Sequence, residues 1–281
     1  MPSLPTIRAE DELAAARASH AGVFDAPAEL PHRDALVEYL IRLGDDPLIL
    51  GQRLTEWCGH APALEVDLSL ANIGLDLIGQ ANLFLAAASD VEGHGRDADV
   101  LAFRRDVLAF RNCLLVEQPN GDFARTMARQ FLFSTFQLPF LQALTASRES
   151  RIAEVAAKAV KEVTYHAELS ADWVIRLGDG TDESRERMID GLDWCWRFVD
   201  EMFGMDDIER TLVDAGVAVD RKALRPGFDA TVERVLTEAT LPLPVYPRAV
   251  VGGRVGHHSE HLGHLLAVMQ YLPRTYPDAV W

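Results

Sequence analysis

From about Asp34 to Phe203 the sequence is a run of long segments in which apolar residues recur every three or four positions, separated by short Gly, Pro and Asp clusters. The punctuation falls at GDDP (Gly44), GHAP (Gly59), EGHGRD (Glu92), QPNGD (Gln118) and GDGTD (Gly178). That spacing predicts five or six long helices. Period-two alternation and β-branched runs are both missing from these segments, so strands have no template. The expected fold class is all-α, a helical bundle with additional C-terminal helices. Leu64 to Ala88 carries the pattern furthest, because Val66, Leu70, Ile73, Leu77 and Phe84 recur at spacings of four, three, four and seven. Leu68, Leu75, Ile78 and Leu85 widen the apolar arc, which predicts a helix buried over most of its girth. Gly74 and Gly79, each costing roughly 1 kcal/mol against Ala in a helix, would then let neighbouring helices approach.

The flanks read differently. Residues 1–33 are rich in Ala, Pro and charge, with Pro27 and Pro31 interrupting any helix, and are expected to form a partly ordered arm. Residues 34–281 are expected to form a single helical domain. Within GDGTD, Gly178 and Gly180 are expected in left-handed conformations that stop one helix, with Thr181 or Asp182 capping the next. After Phe203 the spacing predicts an amphipathic stretch from Phe228 to Glu238, an extended loop at LPLPVYPRAV and a last helix from His257 to Leu272.

A formal charge of -16 opposes phosphate backbones and anionic bilayers, so neither nucleic acid nor membrane is an expected partner. No run approaches about 18 uninterrupted apolar residues and the N-terminus does not read as a leader, so a cytoplasmic location is expected. The three cysteines, Cys58, Cys113 and Cys195, form no C-x-x-C pair and read as packed thiols.

A bundle core raises the question of a carboxylate-bridged dimetal site, which takes a Glu from each of two helices and a Glu-x-x-His from each of two others. Of the nine histidines, only His32 has an acid three residues upstream, Glu29, and Pro31 interrupts that motif. The bundle segments instead offer Asp76 with Gly79 and Glu162 with Tyr165, each an acid without the imidazole, as at a site that has lost a ligand. Glu162 with His166, and Glu56 with His60, could meet at i, i+4, more simply as satisfied polar pairs than as ligands. An irregular ligand set of Glu56, Asp76, Glu162 and His166 is the alternative, and would make the chain an active di-iron or di-manganese oxygenase. His257, His258, His261 and His264 form a second metal candidate, more simply read as capping and packing.

Nucleophile elbows and phosphate loops are absent, and Gly252-Gly253-Arg254-Val255-Gly256 reads as a turn before the last helix. Arg104, Arg105 and Arg111 on one predicted helix, and Arg125 and Arg129 on the next, read as a solvated face or as an anion-binding surface.

Four stretches carry a resemblance: LGDDPLILGQRLTEWCGHAPALEVDLSLANIGLDLIGQANLFL, FRNCLLVEQPNGDFARTMARQF, KAVKEVTYHAELSADWVIRLGDGTD and HHSEHLGHLLAVMQYLPRTYP. In order and spacing, from about Leu40 to Trp281, they resemble the C subunits of bacterial phenylacetyl-CoA epoxidases; only the leader before Asp34 falls outside. The resemblance implies a ferritin-like bundle that has lost its metal ligands, has no cofactor of its own, and supports a related catalytic A subunit. That partner would carry the di-iron centre, receive electrons from a separate reductase and insert oxygen into the ring of phenylacetyl-CoA. It also implies an acyl-CoA near the subunit boundary, with Ala109, Phe110, Arg111 and Asn112, and Arg210, Thr211 and Leu212, as the segments aligned with its contacts.

Overall fold

The computed structural model of the chain describes residues 32–246 and 248–279. The arm expected over residues 1–33 lies outside the described residues apart from its last two, as does Glu29 of the Glu29/His32 pair. Eleven α-helices and no strand occur among the described residues: α1 (Arg33–Thr55), α2 (Leu64–Glu92), α3 (Ala98–Phe103), α4 (Leu114–Glu117), α5 (Phe123–Leu144), α6 (Ser150–Gly178), α7 (Asp182–Trp196), α8 (Asp207–Asp214), α9 (Arg225–Glu238), α10 (Glu260–Met269) and α11 (Tyr271–Thr275). Of the four long ones, α5 lies along α6 and α7, α2 lies against α6, and α1 packs on α2 where Gly44 and Gly51 approach Leu85 and Gly74.

Local chemistry sets the helix boundaries. The Asp122 side chain caps α5 by accepting from Arg125 N at 2.9 Å, and Thr181 and Ser184 form a reciprocal capping box at the start of α7. Each such cap is worth about 1 kcal/mol. On α6, Ile152, Ala156, Ala159, Val163, His166, Ser170, Val174 and Gly178 are buried at spacings of three and four. That seam is mostly small residues, so α6 can lie close to its neighbours, and it carries His166 inward. Phe136 stacks on Phe140 at 5.3 Å and meets Phe203 edge-on at 5.3 Å, and Phe203 meets Phe228 at 5.2 Å, which joins the bundle to α9.

Several expectations are corrected. GDDP does not separate helices: α1 runs through Gly44 and Pro47, because Asp45 and Asp46 are buried within it and find cationic partners from distant segments. Neither Gly178 nor Gly180 has a positive φ. Gly178 is instead required by packing, since a Cβ there would lie 2.6 Å from the Ala239 carbonyl oxygen. The last helix begins at Glu260 and gives way to α11 at Gln270, so His257 and His258 precede it.

The girth of α2 is also less covered than its arc predicts. Gly74 does meet α1, where its Cβ would lie 2.9 Å from Thr55 Cγ2, but Gly79 faces open space. Leu85 is buried, Ile78 is half-buried, and Leu68 and Leu75 are exposed. By length and composition α2 is the one described helix apolar enough to cross a membrane, and half of its most apolar window is buried in the bundle.

Candidate functional site

Of the four irregular ligand candidates, the seam of α6 and the facing side of α2 bring only Asp76 and His166 into contact. His166 Nε2 lies 3.0 Å from Asp76 Oδ2, and one turn earlier Glu162 accepts from Gln80 Nε2 at 2.9 Å. Gln80 in turn accepts from Gln137 Nε2 of α5 at 3.2 Å. Burial pushes the His166 pKa below the ordinary histidine range, and the hydrogen bond and charge of Asp76 only partly oppose this. Its Nδ1 has no partner among the described residues, so the ring is neutral with its proton on Nε2.

Glu56 does not join this group; it accepts from Arg53 Nη1 and from Asn120 Nδ2, both at 2.9 Å. Nor does it pair with His60, whose Nδ1 faces the Cys58 carbonyl at 3.0 Å. Gly79 has no ligating side chain, and Tyr165 is exposed, with its hydroxyl 3.4 Å from Ser69 Oγ. No cluster of three His, Cys, Asp or Glu side chains able to hold a metal ion occurs among the described residues. These donors therefore do not fit a bridged dimetal centre. The histidines at the C-terminal end do not converge either, since His257 and His264 are exposed while His258 turns inward.

The most highly organised polar region lies elsewhere, where α1 meets the loop before α4 and the segment before α10. Arg105 binds Asp45 with both terminal nitrogens, and its guanidinium lies 4.2 Å from the centre of the Phe110 ring. Arg254 grips Asp46 with bonds of 2.5 and 3.1 Å. The same two carboxylates accept from the backbone N–H groups of Arg111 and Cys113, at 2.8 and 2.7 Å. Glu117, fully buried, accepts from Asn112 Nδ2 at 2.9 Å, from His258 Nδ1 at 2.7 Å, and from the backbone and hydroxyl of Ser259 at 2.6 and 2.8 Å. The glycine run holds an internal anion: Gly252 and Gly253 N–H donate to Glu201 at 2.8 and 2.7 Å. A Cβ at Gly253 would lie 2.1 Å from the Asn112 carbonyl oxygen, so glycine is obligatory for that approach.

This network fixes the candidate acyl-CoA segment. Phe110 and Asn112 are completely buried, and Ala109 and Arg111 are partly exposed. Arg111 donates through Nε to Glu38 at 2.8 Å and through Nη1 to the Leu108 and Phe110 carbonyls, both at 2.8 Å. The basic face expected on one helix is dispersed, because α3 ends at Phe103 and Arg105 turns into the interior. Arg129 is interior too, where burial lowers its pKa to about 10. In the second segment Arg210 is exposed, Thr211 is half-buried and Leu212 is buried. Glu38 and Arg42 of α1 link the two: Arg42 donates to Glu38 at 3.2 Å and to Asp206, the cap of α8, at 2.6 Å.

The family model for phenylacetic acid catabolic proteins matches residues 24–281. The chain belongs to this family. The match begins upstream of Asp34, so the family region includes part of the segment expected to fall outside it. The chain is 49% identical over 246 residues, 88% of its own length and 99% of the relative's, to the C subunit of the 1,2-phenylacetyl-CoA epoxidase of Escherichia coli (strain K12). The bundle is the ferritin-like fold of the phenylacetic acid catabolic proteins. The roles of Asp45, Asp46, Glu117 and Glu201 escaped the sequence reading because most of their partners lie 51 to 208 residues away, and His258, read there as one of a histidine cluster, pairs instead with Glu117, 141 residues away. The one local signal was the Gly252-Gly253 pair, whose free N–H groups favour an anion.

Proposed function

We propose that this chain is a non-catalytic, structural subunit of a phenylacetyl-CoA ring 1,2-epoxidase, acting in phenylacetate degradation in the cytoplasm. It supports a ferritin-like catalytic subunit that holds the di-iron centre and is supplied with electrons by a reductase. The acyl-CoA lies at the shared boundary, near Ala109 to Asn112 and Arg210 to Leu212. One observation carries the reading: where a ferritin-like bundle presents metal ligands, this one has Gly79 and the outward Tyr165, and binds its remaining acids to Gln80 and His166. Its relative in Escherichia coli is itself named a subunit of such an epoxidase.

The test is to assay the catalytic subunit with reductase, phenylacetyl-CoA and oxygen, with and without this chain, while following association by size-exclusion chromatography. Co-elution at micromolar concentration with activity dependent on this chain is expected. Full activity of the catalytic subunit alone, or separate elution, overturns the reading.

A further inference from the structure

One side of the molecule carries an apolar track that no described residue covers. Leu64, Leu68 and Leu75 of α2 are 72%, 56% and 64% exposed, and spacings of four and seven put them on one helical face. Beyond Leu75 a groove of about 570 Å³ opens over Gly79, walled by Leu48 of α1, Ile78 of α2 and Phe103 of α3. Phe103 and Asp99 also wall a second groove, of about 500 Å³, whose far side is formed by Val268, Leu272 and Tyr276. Those three are exposed as well. Single exposed leucines are ordinary on a protein surface, but a connected run of them marks a contact surface.

Shape and charge narrow what fits there. A Cβ on Gly79 would meet nothing within 4 Å, so a hollow sits one helical turn beyond the Leu75 ridge. Ridges at i, i+4 and i+11 beside a hollow are the relief into which side chains of another helix pack. Between Leu64 and Glu92 there is no Lys or Arg, whereas Glu65, Asp67, Asp76 and Asp90 lie on that helix and Asp97 and Asp99 border the grooves. Arg104 is the one basic residue lining either groove, and its Nη2 donates to the Pro277 carbonyl at 2.8 Å. A second copy would bring the same acidic rim, in a chain of charge -16, against itself.

We infer that this track is the docking face for a different protein chain, one that presents a helix with an apolar ridge and Lys or Arg along its rim. The inference rests on the reading of this chain as an assembly subunit, and assigns the place where its catalytic partner binds.

The experiment compares wild type with the double variant Leu68→Asp/Leu75→Asp, with Gly79→Leu, which fills the hollow, and with Leu243→Asp/Val245→Asp, which changes exposed residues off the track. Circular dichroism and thermal unfolding establish folding, and each chain is titrated with the catalytic subunit of the epoxidase. Expected are wild-type binding for the Leu243/Val245 variant and losses of about tenfold or more for the other two, with slowed hydrogen exchange on α2 in the wild-type complex. Should the double variant fail to fold, Gly79→Leu decides alone. Wild-type affinity in every variant overturns the docking face while leaving the subunit reading standing; no binding by wild type removes the subunit reading itself. A wild-type homodimer dispersed by Leu68→Asp/Leu75→Asp, or sedimentation with phosphatidylcholine vesicles, would assign the face to a second copy or to a bilayer and overturn the partner named here.

Discussion

His166 in the middle of the bundle and His258 at its end are both enclosed side chains facing a carboxylate, yet their surroundings move their pKa values in opposite directions. Both nitrogens of His258 face acceptors, Glu117 Oε2 at 2.7 Å and the Phe110 carbonyl at 3.0 Å, and only an imidazolium can donate to both. Burial opposes that charge, but the hydrogen bond and charge of Glu117 outweigh it and raise the His258 pKa. His166 has one acceptor, Asp76, whose side chain is 36% exposed, and its other nitrogen is unpartnered. Here burial wins and the pKa falls. The difference lies with the carboxylates: water solvates Asp76, whereas Glu117 has only protein donors and needs a cation.

The largest effect should come from breaking the enclosed pair. Glu117→Ala removes the carboxylate shared by His258 Nδ1, Asn112 Nδ2 and the Ser259 N–H, and should cost about 3–5 kcal/mol in urea unfolding. A loss below about 1 kcal/mol would erase the distinction between the two regions.

Their pH responses should have opposite signs. Relative to His258→Leu, the stabilisation from His258 should be full below the ordinary value of 6.5 and disappear as pH rises through the raised folded pKa. Relative to His166→Leu, wild type should keep its stability above 6.5 and lose it as pH falls through the depressed folded pKa. Unfolding curves at a series of pH values, with NMR titration of both rings, check both signs.

At neutral pH, His166→Leu should cost no more than about 1 kcal/mol, because Asp76 remains hydrated and an unsatisfied nitrogen is removed. A loss of several kcal/mol would show that the middle of the bundle depends on this pair as the end depends on Glu117. Smallest of all, excess Fe(II) or Mn(II) added to the purified chain should leave the melting temperature unchanged; a rise that grows with metal concentration would identify a site at Asp76, Glu162 and His166 or elsewhere.

The sequence made the helices legible because their information is local: the seam of α6 lies in its spacing, and Thr181 announces the start of α7. The absence of a Glu-x-x-His pair from the bundle segments was legible for the same reason, since it is a pattern within one turn. Burial by a second element was not. Leu68 and Leu85 belong to one apolar arc, yet only Leu85 is covered, and no spacing rule distinguishes a leucine packed in its own chain from one left exposed. The arginines failed similarly, because Arg105 and Arg111 are held by Asp45 and Glu38 of α1, which short-range patterns cannot pair with them. Gly178 was misread because its role, a close approach by Ala239, also depends on a distant segment.

The Glu117–His258 contact also sets an order of events during synthesis. Its two residues are 141 positions apart, so at a translation rate of about 5–20 residues per second Glu117 is made roughly 7–30 s before its counter-ion exists. Throughout that interval α1, α2, α5 and α6 can leave the ribosome while Glu117 still lacks His258 and Asp46 still lacks Arg254. That end of the bundle can therefore take its final pairing only once the segment carrying Arg254 and His258 has been made.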